Sequence, residues 1–189
     1  NNVLNWKSFD IAGYETVKFD NGQFKNNYLN LINDSKASEI FGTLTGGNNV
    51  YLINPNGVLF GAGSSVNVGN LHVSTREISG SNWNSYVDAS GNLTKVNDAK
   101  GDITNMGTLV ANKVVLEGNN ILLQNSAELK KGSEQLTGAD VILKAKGSID
   151  VGQESNKSAV TVVNDIQFSA NDDAKYKSTV DDLKWTTTD

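Results

Sequence analysis

The stretch Val50-Tyr51-Leu52-Ile53-Asn54-Pro55-Asn56-Gly57-Val58-Leu59-Phe60 decides the fold class. A short apolar run meets a four-residue polar turn and passes into a second aliphatic strand. The same order recurs in Val114-Val115-Leu116-Glu117-Gly118-Asn119-Asn120-Ile121 and in Val141-Ile142-Leu143-Lys144-Ala145-Lys146-Gly147-Ser148-Ile149. Ile103, Ile121 and Ile149 each open a strand just after a Gly or Asn turn. Their spacing, 18 and then 28 residues, marks a degenerate repeat with an insertion near Lys130–Asp140. Further i, i+2 pairs, such as Val66/Val68 and Leu71/Val73, extend the pattern. No helical segments alternate with these strands, which excludes a doubly wound α/β sheet. Repeats built only of short strands and turns predict an all-β chain, a parallel β-helix or β-solenoid. An antiparallel sandwich is the rival reading, but it calls for longer strands and two-residue hairpin turns.

Composition agrees. The 189 residues hold 18 glycines, one proline and 26 asparagines, so Asn and Gly supply the corners. Zero cysteine excludes disulfides, thiolate metal sites and a cysteine nucleophile, and the single histidine, His72, excludes two-histidine zinc motifs. A net charge of −5 without a basic stripe argues against nucleic acid as a partner. No apolar run is long enough to span a membrane as a helix, so membrane insertion is not expected, nor is a cofactor. The lack of cysteine does not fix the compartment, because secreted proteins also avoid it.

Two stretches break the pattern. Residues 79–100 are polar and carry Trp83 and Tyr86, which predicts an excursion from the solenoid, a hairpin lying on its side. The expected division is a β-helix domain over 1–168 and a polar piece over 169–189, a tail, a cap or the start of a further coil. Aromatics Trp6, Phe9, Tyr14, Phe19, Phe24 and Tyr28 crowd the first coil, where bulky side chains would cover an open end.

Among candidate residues, Asn54-Pro55-Asn56-Gly57 stands first. Proline presets φ at the second turn position, Asn54 caps the turn, and Asn56-Gly57 lets the chain reverse without strain. The motif is read first as a turn that the fold needs, and second as part of a recognition signal. His72 has the opposite parity to Leu71 and Val73 and should face outward, with no catalytic partner at meaningful spacing. Asp10, Glu15, Asp102 and Asp150 are scattered singly, as solvated charges are, and no nucleophile elbow, phosphate loop or metal cluster occurs. Neither catalytic nor metal-binding residues are expected. Sequons at Asn33, Asn92 and Asn156 are candidate glycosylation sites, a few of which arise by chance in so Asn-rich a chain.

The run Trp6-Lys7-Ser8-Phe9-Asp10-Ile11, then Glu15-Thr16-Val17-Lys18-Phe19, Leu29-Asn30, and Ser38-Glu39-Ile40-Phe41-Gly42-Thr43-Leu44 precedes the NPNG segment. Val66-Asn67-Val68-Gly69, Ser74-Thr75 and Gly101-Asp102-Ile103-Thr104-Asn105-Met106-Gly107-Thr108-Leu109 follow it. From Trp6 to Ile121 this order resembles the N-terminal secretion domain of two-partner-secretion exoproteins, the filamentous haemagglutinin family, nearest the branch with high-molecular-weight adhesins. The family's Leu-Asn-Arg reads Leu29-Asn30-Leu31 here, its Leu-Asp after Ser-Thr reads Arg76-Glu77, and a second Asn-Pro-Asn-Leu motif is absent.

The resemblance implies a right-handed parallel β-helix with extra-helical strands or hairpins. It also implies a non-enzymatic role in a Gram-negative-type bacterium. Periplasmic modules of an outer-membrane transporter would recognise the domain, and it would then template the coils of a long passenger, an adhesin, as they emerge. It further implies that a signal peptide and first strands precede this segment and are missing here. The expected partners are that transporter and, through the passenger, the host cell surface. The expected state is a monomer, secreted through the periplasm. Two other functions compete: a polysaccharide-degrading β-helix enzyme, which would need clustered carboxylates on one face, and a host-binding module acting through the 79–100 excursion.

Overall fold

The computed structural model describes residues 1–78, 80, 82–94, 97–123, 127–132, 134–135, 141–147, 149–151, 166–169 and 187–188. The chain winds as a right-handed parallel β-helix with three faces. The first face is an eight-stranded sheet ordered β1 (Asn2–Trp6), β3 (Tyr28–Ile32), β6 (Asn49–Ile53), β9 (Asn70–Ser74), β12 (Lys113–Gly118), β16 (Val141–Ala145), β18 (Ile166–Ser169) and β19 (Thr187–Thr188). The second stacks β4 (Ser38–Ile40), β7 (Val58–Phe60), β10 (Ile103–Asn105), β13 (Ile121–Leu123) and β17 (Ile149–Val151). The third stacks β2 (Thr16–Lys18), β5 (Thr43–Thr45), β8 (Ser65–Asn67), β11 (Thr108–Val110) and β14 (Glu128–Lys131). It ends on β15 (Glu134–Gln135), which turns back antiparallel to β14 within the insertion expected there. Residues 136–140 of that insertion lie outside the described residues, as do 170–186 and 189 of the C-terminal piece.

Register follows the sequence echoes. Val50, Leu71, Val114 and Val141 stack in one inward column, and Leu52, Val73, Leu116 and Leu143 in the next. Val58, Ile103, Ile121 and Ile149 form a column on the second face, and Val17, Leu44, Val66, Leu109 and Leu129 on the third. Nearly all of these side chains are fully buried, because period-2 alternation sends every second residue into the tube. One rung takes 21 residues from Asn49 to Asn70. The next takes 43 from Ser74 to Glu117, because the excursion departs between β9 and β10.

Corners are tied by asparagine. Asn27 Nδ2 donates to Asn1 Oδ1, Asn49 Nδ2 to Asn27 Oδ1 and Asn70 Nδ2 to Asn49 Oδ1, at 2.6, 2.9 and 3.0 Å. An amide carries donor and acceptor together, so identical amides stacked about 4.8 Å apart continue one another. At the first coil, Trp6 packs edge-on against Phe9 at 5.1 Å and Phe19 stacks on Tyr28 at 4.4 Å. The Trp6 indole also donates to buried Asn30, whose amide donates to the Tyr51 carbonyl. Tyr14 and Phe24 take no part in this closure and stay exposed.

Candidate functional site

The Asn54–Gly57 turn joins β6 to β7 at the corner between the first two faces. Asn54 is fully buried, and three hydrogen bonds explain why asparagine stands there. Its Nδ2 donates to the Lys36 carbonyl at 3.0 Å and to Ser38 Oγ at 3.1 Å, both on the coil before. Its Oδ1 accepts from Asn56 N at 3.0 Å, closing an Asx turn, while Gly57 N donates to the Asn54 carbonyl at 3.0 Å. Gly57 has φ +118°, and a Cβ there would lie 2.7 Å from the Asp102 carbonyl oxygen of the next coil. A Cβ on Gly101 would come within 2.4 Å of the Asn56 backbone. The turn is thus clamped between two neighbouring coils. Only Asn56 is exposed, with Pro55 half-buried; Asn56 Nδ2 donates to the Asp34 carbonyl at 2.5 Å.

Sequence reasoning found the turn but not its partners, Lys36 and Ser38. Nothing in Lys36-Ala37-Ser38 announces that it faces the next corner. Ser38 heads the inward column of Val58 and Ile103, so a serine breaking an aliphatic column was the available signal.

The described residues of the excursion between Arg76 and Asp102 fold back over the outer surface of the eight-stranded sheet. It holds a one-turn helix, α1 (Trp83–Tyr86), which the sequence reading did not anticipate, fixed by a reciprocal Asn82/Ser85 capping box. A Val87–Leu93 antiparallel bridge follows, with Asp88 accepting from Ser90 N and Asn92 N. Ile78, Trp83, Tyr86, Val87 and Leu93 pack on outward-facing Leu29, Tyr51 and Ile53, a second apolar cluster outside the tube. His72 points out of the tube as expected but is not solvated: its ring stacks on Tyr51 at 4.2 Å beneath the excursion. Burial, reinforced by the Lys113 charge, pushes the imidazole down to about 4, so it is neutral at pH 7. Tyr51 meets Trp83 edge-on at 5.6 Å and donates to the Gly91 carbonyl at 2.6 Å, and burial, then Asp88, raises its hydroxyl to about 12.

Between the Asn54–Gly57 corner and the excursion runs a groove of about 820 Å³. Leu31, Ile53, Pro55, Asn56, Ile78 and Tyr86 are among the residues that line it. Arg76 is held at one wall by an ion pair with Glu117, and Lys100 by another with Glu77.

Of the scattered carboxylates, Asp10, Glu15 and Asp102 are exposed, as expected, and Asp150 is half-buried; the three exposed ones have structural work. Asp10 accepts from Glu39 N at 2.8 Å, Glu15 from Ala12 N at 2.8 Å, and Asp102 from the backbone and side chain of Asn120 at 3.0 Å. Among the described residues no three His, Asp or Glu side chains converge as a metal site would need. Asn33 and Asn92 are exposed, Asn33 beside the groove and Asn92 in the excursion; Asn156 lies outside the described residues.

A sequence profile of the TPS secretion domain matches residues 1–182. Over 85 residues the chain is 39% identical to a heme/hemopexin-binding protein of Haemophilus influenzae, covering 44% of this chain and 9% of that protein. It is 30% identical over 124 residues to the heme/hemopexin-binding protein of the Rd strain of the same species, covering 63% and 14%. The chain therefore spans about a tenth of the length of the curated relatives it matches.

Proposed function

The chain belongs to the TPS secretion domain family, and from that premise we propose that it is the secretion-targeting and folding-nucleus domain of a larger exported exoprotein. Its partner is an outer-membrane transporter whose periplasmic modules recognise it, and its destination is the exterior of a Gram-negative bacterium, as a monomer. The observation that carries this reading is the mode of stacking. Apart from the β14–β15 turn-back, every pairing between the described strands is parallel and joins one rung to the next, over a first coil packed with aromatics. A solenoid held by nearest-neighbour contacts grows one rung at a time, and a formed coil removes the nucleation cost for the next. Recognition is proposed to proceed by β-augmentation, an extended segment adding to an exposed sheet edge. The Asn54–Gly57 turn serves it by holding the first coils in register.

The passenger is proposed to be an adhesin that meets the host surface. A second reading, capture of heme or hemopexin, is favoured by the similarity to the heme/hemopexin-binding proteins of Haemophilus. Glycosylation at Asn33 and Asn92 is proposed on the exposure of both. The test is capture of residues 1–189 on immobilised periplasmic modules of the cognate transporter. Saturable binding by the folded chain is expected. Absence of binding by both the folded and the urea-unfolded chain would overturn the assignment.

A further inference from the structure

We propose that the groove between the Asn54–Gly57 corner and the excursion binds a neutral oligosaccharide. Both cations of the lining are already ion-paired, Arg76 with Glu117 and Lys100 with Glu77, and Asp34 adds a single carboxylate. No positive field is left to select a polyanion, and one carboxylate is too little to select a polycation. The polar atoms that remain are amides. Asn5 and Asn33 line the groove, are exposed, and engage no side-chain partner among the described residues. Asn56 spends its Nδ2 on Asp34 and Asn97 its Nδ2 on Glu77, leaving both Oδ1 atoms as acceptors. A primary amide sets donor and acceptor side by side, which matches the vicinal hydroxyl pair of a sugar.

Apolar surface completes the match. Half-buried Leu31, Pro55, Ile78 and the Tyr86 ring line the same groove and offer contact to the C–H face of a pyranose. The volume, about 820 Å³, lies in the range of small-ligand sites. An extended peptide is disfavoured. β3 and β6, which carry Leu31 and Ile53, are each paired on both sides, so neither offers a backbone edge for it to join.

This site is independent of transporter recognition and stands or falls separately. The test is an NMR titration of residues 1–189 with maltohexaose, cellohexaose, chitohexaose and lacto-N-neotetraose, with a heparin hexasaccharide as the anionic comparator. At least one neutral sugar should bind with Kd below about 1 mM and shift the amides of Asn33, Asn56 and Tyr86. The affinity should be unchanged between about 0.05 and 0.5 M NaCl. Asn5→Ala and Asn33→Ala, both exposed and unpaired, should leave the thermal melt in place and together weaken binding roughly tenfold, as loss of about 1.4 kcal/mol does. The proposal is overturned if none of the neutral sugars binds at about 10 mM, if only heparin binds, or if the double variant binds as well as the parent.

Discussion

Replacing Asn54 by alanine removes three hydrogen bonds at one buried point, to the Lys36 carbonyl, Ser38 Oγ and Asn56 N. At a net worth of about 1 kcal/mol each, the loss comes to about 3 kcal/mol. Ser38, 1% exposed, is left without its partner, which pushes the figure up rather than down. For a chain of this size that is a fall in Tm of roughly 6–12 °C. Pro55→Ala is the internal control. Proline makes none of these bonds and acts on the unfolded chain, so it should cost only about 0.4–1 kcal/mol. Asn54→Asp sharpens the test: the carboxylate can still accept from Asn56 N but sets a buried negative charge against the Lys36 carbonyl. It should be at least as damaging as alanine at pH 7 and recover as the pH falls toward 4 and the acid regains a proton to donate. Thermal melts by circular dichroism, with amide exchange at Ser38 and Val58 as local probes, decide the matter. If Asn54→Ala melts within about 2 °C of the parent, or Pro55→Ala costs more, the corner is not held as described. Export assays on the same variants separate folding from recognition. A folding role makes export of Asn54→Ala track its melt, whereas a signal read by the transporter makes exposed Asn56→Ala fail while remaining stable.

Gly57→Ala combines a positive φ with a Cβ 2.7 Å from the Asp102 carbonyl oxygen, and should cost at least about 2–3 kcal/mol in the same melts. His72 stays neutral in the fold down to about pH 4, so below about 6.5 the unfolded chain takes up a proton that the folded one refuses. Stability is then full above pH 6.5 and drops by about 3 kcal/mol on reaching pH 4; His72→Phe, which keeps a ring against Tyr51, should flatten that slope. Asp20 acts lower on the scale: burial works against its charge, but hydrogen bonds from Tyr28, Asn26 and Lys25 prevail and lower it to about 2. Its contribution is present above about pH 4 and is lost between there and pH 2, and Asp20→Asn should abolish that segment of the profile. Trp83→Ala loosens the cover over Tyr51 and His72, so the imidazole should titrate nearer 6.5 by NMR, where a single histidine makes the signal unambiguous; an unmoved midpoint would show that the excursion does not bury it.

The inward columns were legible because they rest on parity, which a strand cannot evade: the echo of Val50, Val114 and Val141 became one stack, and Ile103, Ile121 and Ile149 another. The corner was legible because Pro and Gly constrain φ wherever they stand. What parity cannot tell is what covers an outward face. His72 was therefore placed on the correct side of its strand, yet the packing of Trp83 and Leu93 over that side is a long-range event written in no local period. Ser38 and Asn30 were hidden for a related reason: a polar residue inside the tube is tolerated only by a partner one coil away, Asn54 for the one and Trp6 for the other. Helix α1 escaped notice because four residues carry no periodicity; the Asn82/Ser85 box was its one local mark.

The proposed role is that of a folded β-helix directing export through a partner barrel. The most direct measurement places residues 1–189 between a Sec signal peptide and a reporter in a Gram-negative host and assays the medium with and without the cognate transporter. Reporter in the medium only when the transporter carries its periplasmic modules is the predicted result. Reporter retained in the periplasm in every case, or released equally without the transporter, would contradict it.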